Sequence, residues 1–586
     1  MLIALAPTSS PAILADLAKV LGVSALTTIA CRTFRLPTVL GYLIAGLIIG
    51  PHVPIPMVAD PGNVHTLSEL GVILLMFTLG LEFSLAKVAR AGPAAALVAV
   101  TQAGFMIWMG YLAGRMVGFS AVESLFAGAA LAISSTMIIA RAFEELGIKG
   151  PLSELVISAL IVEDLLAILL LALLGAVASG AGFNVAALGL TAARLAAFLA
   201  VVLALGLWLL PRWVRRVAAL GHDETLLIAV AGLCFSFSLL AAKAGYSVAL
   251  GAFLGGMVVA ESGLSHKVEA LLAPLRDLFV AVFFVSIGMS LDPGQLMPNW
   301  KALVLFGLLV LVGKFASASA GALLGGNSLR TSLRTGASLA QIGEFSFIIA
   351  ALGQSLGVVG PALFPVLVAT CAWTTLTTPL LIGHSETLAD RIERALPSHL
   401  RHFLLHHRTA MGHLREAPFS RSAGSRLRRP FGLLLLFALL TAALVVLGTF
   451  LGRSPALSTS GAGGGFAKAL AWAGAAGIGA ALLAGMVQQT RTLARALAEG
   501  LERTGRPSGK GVGDAIRFIL ELAIGCLVGL PLLAVLQPFL PVALVLTAVP
   551  MGLILLAGVF FRRTGRLLER RELPRDEPPP VPPEVS

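Results

Sequence analysis

Charge is what this chain has least of. Of its 586 residues only 12% are Asp, Glu, Lys or Arg, against about 25% in an ordinary soluble protein, so a water-facing surface around a single core is excluded. Cysteine is scarce too. The four residues Cys31, Cys234, Cys371 and Cys526 lie scattered in apolar segments without CxxC or metal-ligand spacing, and they read as packed thiols. No soluble segment brings together a nucleophile, a base and an orienting group, so no enzyme is expected and no resident metal or cofactor is implied. A cleavable signal is also missing. The first apolar segment carries Asp16 and Lys19 without a basic leader, and it reads as a retained helix.

What the chain has in abundance is apolar sequence. Hydrophobic residues make up 57% of it and the mean hydropathy is +0.92, which defines an all-α polytopic membrane protein. At about 20 residues per crossing, thirteen helices are expected near residues 12–31, 36–50, 66–87, 93–117, 122–144, 150–177, 186–211, 224–243, 247–262, 270–291, 300–324, 333–356 and 360–383. Four more are expected near 431–451, 466–488, 514–536 and 538–561. The net charge of +12 does not point to nucleic acid, because Lys and Arg gather in alternate short loops. Arg32/Arg35, Lys87/Arg90, Arg141/Lys149, Arg212/Arg215/Arg216, Lys267/Arg276 and Arg330/Arg334 fall on one side of the membrane. By the positive-inside rule that side is cytoplasmic, which puts the N-terminus outside and the C-terminus in the cytoplasm.

The chain repeats itself. "GYLIAGLIIG" from Gly41 resembles "GAFLGGMVVA" from Gly251, and "ELGVILLMFTLGL" from Glu69 resembles "DLFVAVFFVSIGM" from Asp277. Gly41 aligns with Gly251, Gly46 with Gly256 and Gly80 with Gly288, at an offset of 208–210 residues. The extra helix at 186–211 makes the second copy enter the membrane from the opposite side. Inverted repeats, here residues 12–177 and 224–383, are a mark of secondary transporters, whose sites lie near the midplane.

Each copy carries a polar interruption at the same place. In the first it is "ALAISSTMIIA", with Ser134, Ser135 and Thr136; in the second, "ASLAQIGEFSFII", with Gln341, Gly343 and Glu344. Two crossed discontinuous helices are expected there, with free backbone groups able to coordinate ions. Between them in sequence lies "LIVEDLLAILLL", where Glu163 and Asp164 interrupt an apolar run. Each costs about 2.5–3.5 kcal/mol near the middle of a membrane helix. Lys314, some fourteen residues into its own helix, is too deep to snorkel and is their expected charge partner. Adjacent helical residues point about 100° apart, so one acid is expected to pair with Lys314 and the other to face a hydrated cavity.

Taken in order, "LPTVLGYLIAGLIIGP", "ELGVILLMFTLGLEF", "ALAISSTMIIA", "VEDLLAI", "LGAFLGGMVVAES", "FFVSIGMSLD" and "QIGEFSFI" resemble the Kef-type branch of the bacterial monovalent cation:proton antiporters, the cation:proton antiporter-2 family. The resemblance covers residues 12–383 and implies a dimerising scaffold moving against a core that holds the crossed helices. It implies that Asp164 takes a cation or a proton in turn, that Lys314 pairs with an acid, and that Ser135 and Thr136 lie beside the cation. It further implies a homodimer in the bacterial inner membrane. The chain departs from the pattern in reading "ED" at the acidic pair, where Kef-type systems have "QD". It also lacks the nucleotide-binding regulatory domain, since no strand followed by GxGxxG appears after residue 383 and "GAGGG" at Gly461–Gly465 only joins two apolar segments.

The expected organisation is therefore an antiporter transmembrane domain at 1–383, a basic His-rich cytoplasmic linker at 384–430, accessory helices at 431–561 and a disordered tail at 562–586. The expected substrates are Na⁺ or K⁺ and H⁺, with the lipid bilayer as surroundings. In this reading Glu163 is a second titrating group or the partner of Lys314. A gated cation channel and a carrier of an organic anion on the same scaffold are the alternatives. The linker's His384, His399, His402, His406, His407 and His413 read as part of a solvated amphipathic surface rather than a metal site.

Overall fold

In the computed structural model, nine of the described helices are long and apolar enough to cross a membrane. The structure describes residues 10–396, apart from 34–37, 53–59, 83–84, 177 and 179–184, together with parts of 430–532. In chain order the helices are α1 (Ser10–Thr33), α2 (Thr38–Ile49), α3 (Pro61–Glu82), α4 (Leu85–Met116), α5 (Ala121–Ala132), α6 (Thr136–Glu145), α7 (Pro151–Ala176), α8 (Val185–Ala218) and α9 (Asp223–Lys243). They continue with α10 (Val248–Ala260), α11 (Ser265–Met289), α12 (Pro293–Leu296), α13 (Trp300–Leu308), α14 (Phe315–Leu324), α15 (Leu329–Leu339), α16 (Phe345–Ser355) and α17 (Leu363–Ala395). Counting α5–α6, α13–α14 and α15–α16 as one passage each and setting aside the four-residue α12, thirteen passages result, as the hydropathy of residues 12–383 requires.

Local features set several helix ends. Gly92, at φ 77°, followed by Pro93 breaks α4, so its membrane part is Gly92–Met116, in line with the expected 93–117. Leu309–Lys314 forms a π-helical turn between α13 and α14, a local widening that swings Lys314 out of the ordinary register. The last helix does not stop at residue 383. It continues through Pro379 to Ala395 and carries His384 on an exposed turn. His399, His402, His406, His407 and His413 lie outside the described residues, as does the expected helix at 538–561.

The repeat is visible as packing. A methyl group placed on Gly46 of α2 would fall 2.7 Å from the Gly288 Cα of α11. One placed on Gly256 of α10 would fall 2.9 Å from the Gly80 Cα of α3. The repeats pair Gly46 with Gly256 and Gly80 with Gly288, so the two crossings exchange into one another when the copies are swapped. The flanking contacts exchange in the same way: Gly41 packs on Thr28 of α1 and Gly251 on Phe237 of α9. Such close backbone approach needs residues without a side chain. Gly46→Ala is therefore expected to destabilise the protein by about 1–3 kcal/mol, as overpacking does, and to lower the thermal midpoint of the solubilised protein. Gly22→Ala, with open space around it, should leave the midpoint unchanged.

The helices sort into two bundles. The helices α1, α2, α3, α9, α10 and α11 pack on one another, with α8 along their flank, and α4–α7 and α13–α17 form the second bundle. Exposed apolar side chains such as Leu26 on α1, Trp208 on α8 and Ile228 on α9 mark faces suited to lipid. The chain is a multi-pass membrane protein with the inverted-repeat architecture.

Candidate functional site

Both polar interruptions are real breaks. The helix α5 ends at Ile133, which is extended (φ −97°, ψ 134°), and α6 restarts after Ser135, whose hydroxyl accepts from the Ile138 N–H at 3.3 Å. In the second repeat α15 ends at Leu339 and α16 begins after Glu344. The two breaks cross. The Gly343 N–H donates to the Ile133 carbonyl at 3.0 Å, and a Cβ on Gly343 would meet the Ser134 backbone at 2.7 Å.

At membrane depth, broken helices must have their freed backbone groups satisfied by protein. Here the partners can be followed one by one. Gln102 Nε2 of α4 donates to the Ala132 carbonyl at 2.8 Å, and Gln341 Nε2 donates to the Ser135 carbonyl at 3.1 Å. Lys314 Nζ donates to the Gln341 carbonyl at 2.7 Å and to Ser134 Oγ at 2.9 Å. Ser134 Oγ in turn donates to the Leu339 carbonyl at 3.3 Å. The Ser134 N–H donates to Glu163 Oε2 at 3.0 Å, and the Cys371 thiol faces the Ile342 carbonyl at 3.4 Å.

The structure therefore brings together Ser135, Thr136, Glu163, Asp164, Lys314, Gln341, Gly343 and Glu344. The two adjacent acids face different surroundings. Glu163 is fully buried and holds a backbone N–H of the first break. Asp164 is half-buried, and its Oδ2 accepts from Thr136 Oγ1 at 3.1 Å. Of the two acids, one of which was expected to pair with Lys314, Glu163 is the one linked to it, through Ser134; each reaches a different atom of that serine. Glu344 is a further buried acid, 6% exposed, at the N-terminal end of α16. The Glu163 Oε1, Gln102 Oε1 and Gln341 Oε1 atoms are buried without a hydrogen-bond partner, so acceptor capacity is left over around the crossing.

Sequence reasoning missed Gln102 and the bridging role of Ser134. Gln102 had a signal: it is a lone amide in the apolar run "ALVAVTQAGFMIW", where a polar side chain needs a partner. A further link also went unread. Glu123 closes a capping box with Ser120 at the start of α5 and accepts from the Gly360 N–H at 2.7 Å, tying the outer ends of the two broken passages.

Two inverted copies, crossed broken helices and buried ionisable groups at their crossing define a secondary-transporter architecture. A family model described as "Sodium/hydrogen exchanger, transmembrane" matches residues 21–383, and the chain belongs to that family. It is 36% identical over 368 residues to the putative cation/proton antiporter YbaL of Escherichia coli (strain K12), covering 61% of this chain and 66% of that one. It is 30% identical over 362 residues to the Na⁺/H⁺-K⁺ antiporter GerN of Bacillus cereus, covering 61% of this chain and 92% of that one. Among solved structures, the sodium proton antiporter MjNhaP1 from Methanocaldococcus jannaschii matches over 66% of this chain and 99% of that one, at 15% identity and a TM-score of 0.46. With several of its curated relatives the match spans less than two thirds of the relative's own length. The Kef-type resemblance read from the motifs agrees with the two curated relatives, both described as antiporters.

Proposed function

We propose that the protein exchanges monovalent cations, Na⁺ or K⁺, for protons by alternating access. The observation that carries this reading is the division of labour between the adjacent acids. Glu163 is engaged with the broken backbone, while Asp164 is half-buried beside the Thr136 hydroxyl. One accessible carboxylate can hold a cation or a proton but not both, so binding of either expels the other. Thr136, at the start of α6, stands beside Asp164 and, with Ser135 next to it in the break, would complete a cation's coordination together with leftover acceptors of the crossing. Lys314 balances the buried negative charge and fixes the second break. Gln341, Gly343 and Glu344 shape the crossing.

The positive-inside reading puts the N-terminus outside and the C-terminus in the cytoplasm of a bacterial inner membrane. In support, Lys149 and Arg334, both assigned to the cytoplasmic side, line one cavity. The outward apolar faces of the first bundle would meet lipid and a second copy of the chain. Direct evidence of function would come from everted vesicles in which proton flux is followed as Na⁺, K⁺ or Li⁺ is added over a pH series. Proton movement driven by at least one of these ions against its own gradient is the expected result. Cation flux uncoupled from protons would instead support the channel, and ion-independent uptake of a labelled anion would support the organic-anion carrier.

A further inference from the structure

A cavity of about 370 Å³ opens at the end of the second bundle remote from Glu123 and Gly360. Its walls include Gly147, Ile148 and Lys149 of the turn between α6 and α7, Arg334 of α15, and Ser385 and Glu386 of α17. The turn is tight and open-mouthed: Gly147 (φ 64°) and Gly150 (φ 80°) are both left-handed, with nothing within 4 Å of where their side chains would be.

The charges on the walls are unequally matched. The carboxylate of Glu386 is already held by Arg330 at 2.6 Å, and Arg330 also reaches Asp390 at 3.3 Å. Neither Lys149 nor Arg334 has an ion-pair partner among the described residues. The Nε of Arg334 is moreover buried without a hydrogen-bond acceptor. Leaving a buried donor unmatched costs about 1–3 kcal/mol, and such a group in a native structure calls for a specific explanation. An acceptor supplied from outside provides one. The α7 N-terminus, through Leu152, opens on the same space and adds the positive end of its dipole, although Glu154 in the same turn carries a negative charge and its N–H is already held by the Gly150 carbonyl.

We propose that this cavity binds a phosphate group, held by Arg334 and Lys149 at the start of α7. A guanidinium fork and an ammonium facing a helix N-terminus match the geometry and charge of a phosphate mono- or diester. The group can come from the headgroup of an anionic phospholipid in the adjoining leaflet or from a soluble phosphorylated molecule. Its place in the fold gives it leverage. Lys149 sits in the turn between α6, which starts at Thr136, and α7, which carries Asp164. Arg334 lies about two helical turns before Gln341, whose carbonyl holds Lys314. A phosphate bridging Lys149 and Arg334 would tie together the ends of the elements that build the exchange site, and so regulate it. That consequence rests on the antiport reading; the binding itself does not.

The test uses the full chain in maltoside micelles, which carry no phosphate. One arm titrates inorganic phosphate against chloride at constant ionic strength; the other adds phosphatidylglycerol to the micelles. The thermal midpoint is read in both. A rise in the first arm identifies a soluble phosphate and a rise in the second a headgroup, and either supports the site. The rise should vanish in Arg334→Gln/Lys149→Gln, with affinity at least tenfold weaker. Should that double variant fail to fold, Lys149→Gln alone, altering only an exposed turn, must still weaken the effect. The proposal is overturned if neither arm shifts the midpoint, or if the shift survives in the variants. Because no transport is measured, failure here is distinguishable from failure of the antiport reading.

Discussion

Asp164→Asn is expected to reduce cation-driven proton flux in everted vesicles to the level of vesicles without the protein. The change keeps the shape of the side chain and an oxygen to accept from Thr136 Oγ1, so the crossing should assemble as before. What disappears is the ionisable group to which the proposed exchange assigns a proton in one half of the cycle and a cation in the other. Glu163 cannot take over, because it is fully buried and engaged with the Ser134 N–H. The thermal midpoint should move little. Normal flux in this variant would remove Asp164 from the exchange and with it the site assigned here.

Lys314→Ala should have the opposite signature in stability and the same one in transport. The lysine is fully buried, and its ammonium is the donor that joins the two breaks, through the Gln341 carbonyl and Ser134 Oγ. Its removal leaves the Gln341 carbonyl without this donor and the Glu163 carboxyl without its nearest balancing charge. Removing one member of a buried charged network typically costs about 3–5 kcal/mol. The expected outcome is a lower thermal midpoint and a shorter half-life of the solubilised protein, together with lost flux. A variant as stable as the parent would show that the crossing holds without Lys314. Comparing the two variants separates a residue proposed to exchange ions from one that holds the crossing together.

Much of this arrangement was legible in the sequence, for identifiable reasons. Membrane helices have a length set by the bilayer, so thirteen passages could be counted before any contact was known. The paired interruptions around Ser135 and Gly343 stood out because a polar break is costly in lipid and occurred twice at one offset. Contact geometry was less accessible. The alignment sets Gly46 beside Gly256, yet in space Gly46 meets Gly288 and Gly256 meets Gly80, because repeats pack by exchange and not by likeness. The sequence left open which acid pairs with Lys314, and the serine-bridged chain from Glu163 was hidden for a similar reason. Which donor reaches which freed carbonyl depends on the angle at which two broken helices cross, and no periodicity encodes that angle. The extension of α17 to Ala395 was missed because its apolar character ends near residue 383 while its helical hydrogen bonding continues.

The exchanged glycine crossings belong to a frame that is the same seen from either side of the membrane. The chemistry inside it is not. At the offset of 208 residues Glu163 corresponds to Cys371 and Asp164 to Ala372, and the link from the Ser134 N–H to Glu163 corresponds to the link between Cys371 and the Ile342 carbonyl. One copy holds the acids, while its counterpart holds a thiol and a methyl group at the equivalent positions. A frame of this kind has no inherent front or back and can present its centre to either side at similar cost. Polarity then enters only through the few atoms at which the copies disagree, and the direction of net exchange is left to the ion gradients outside.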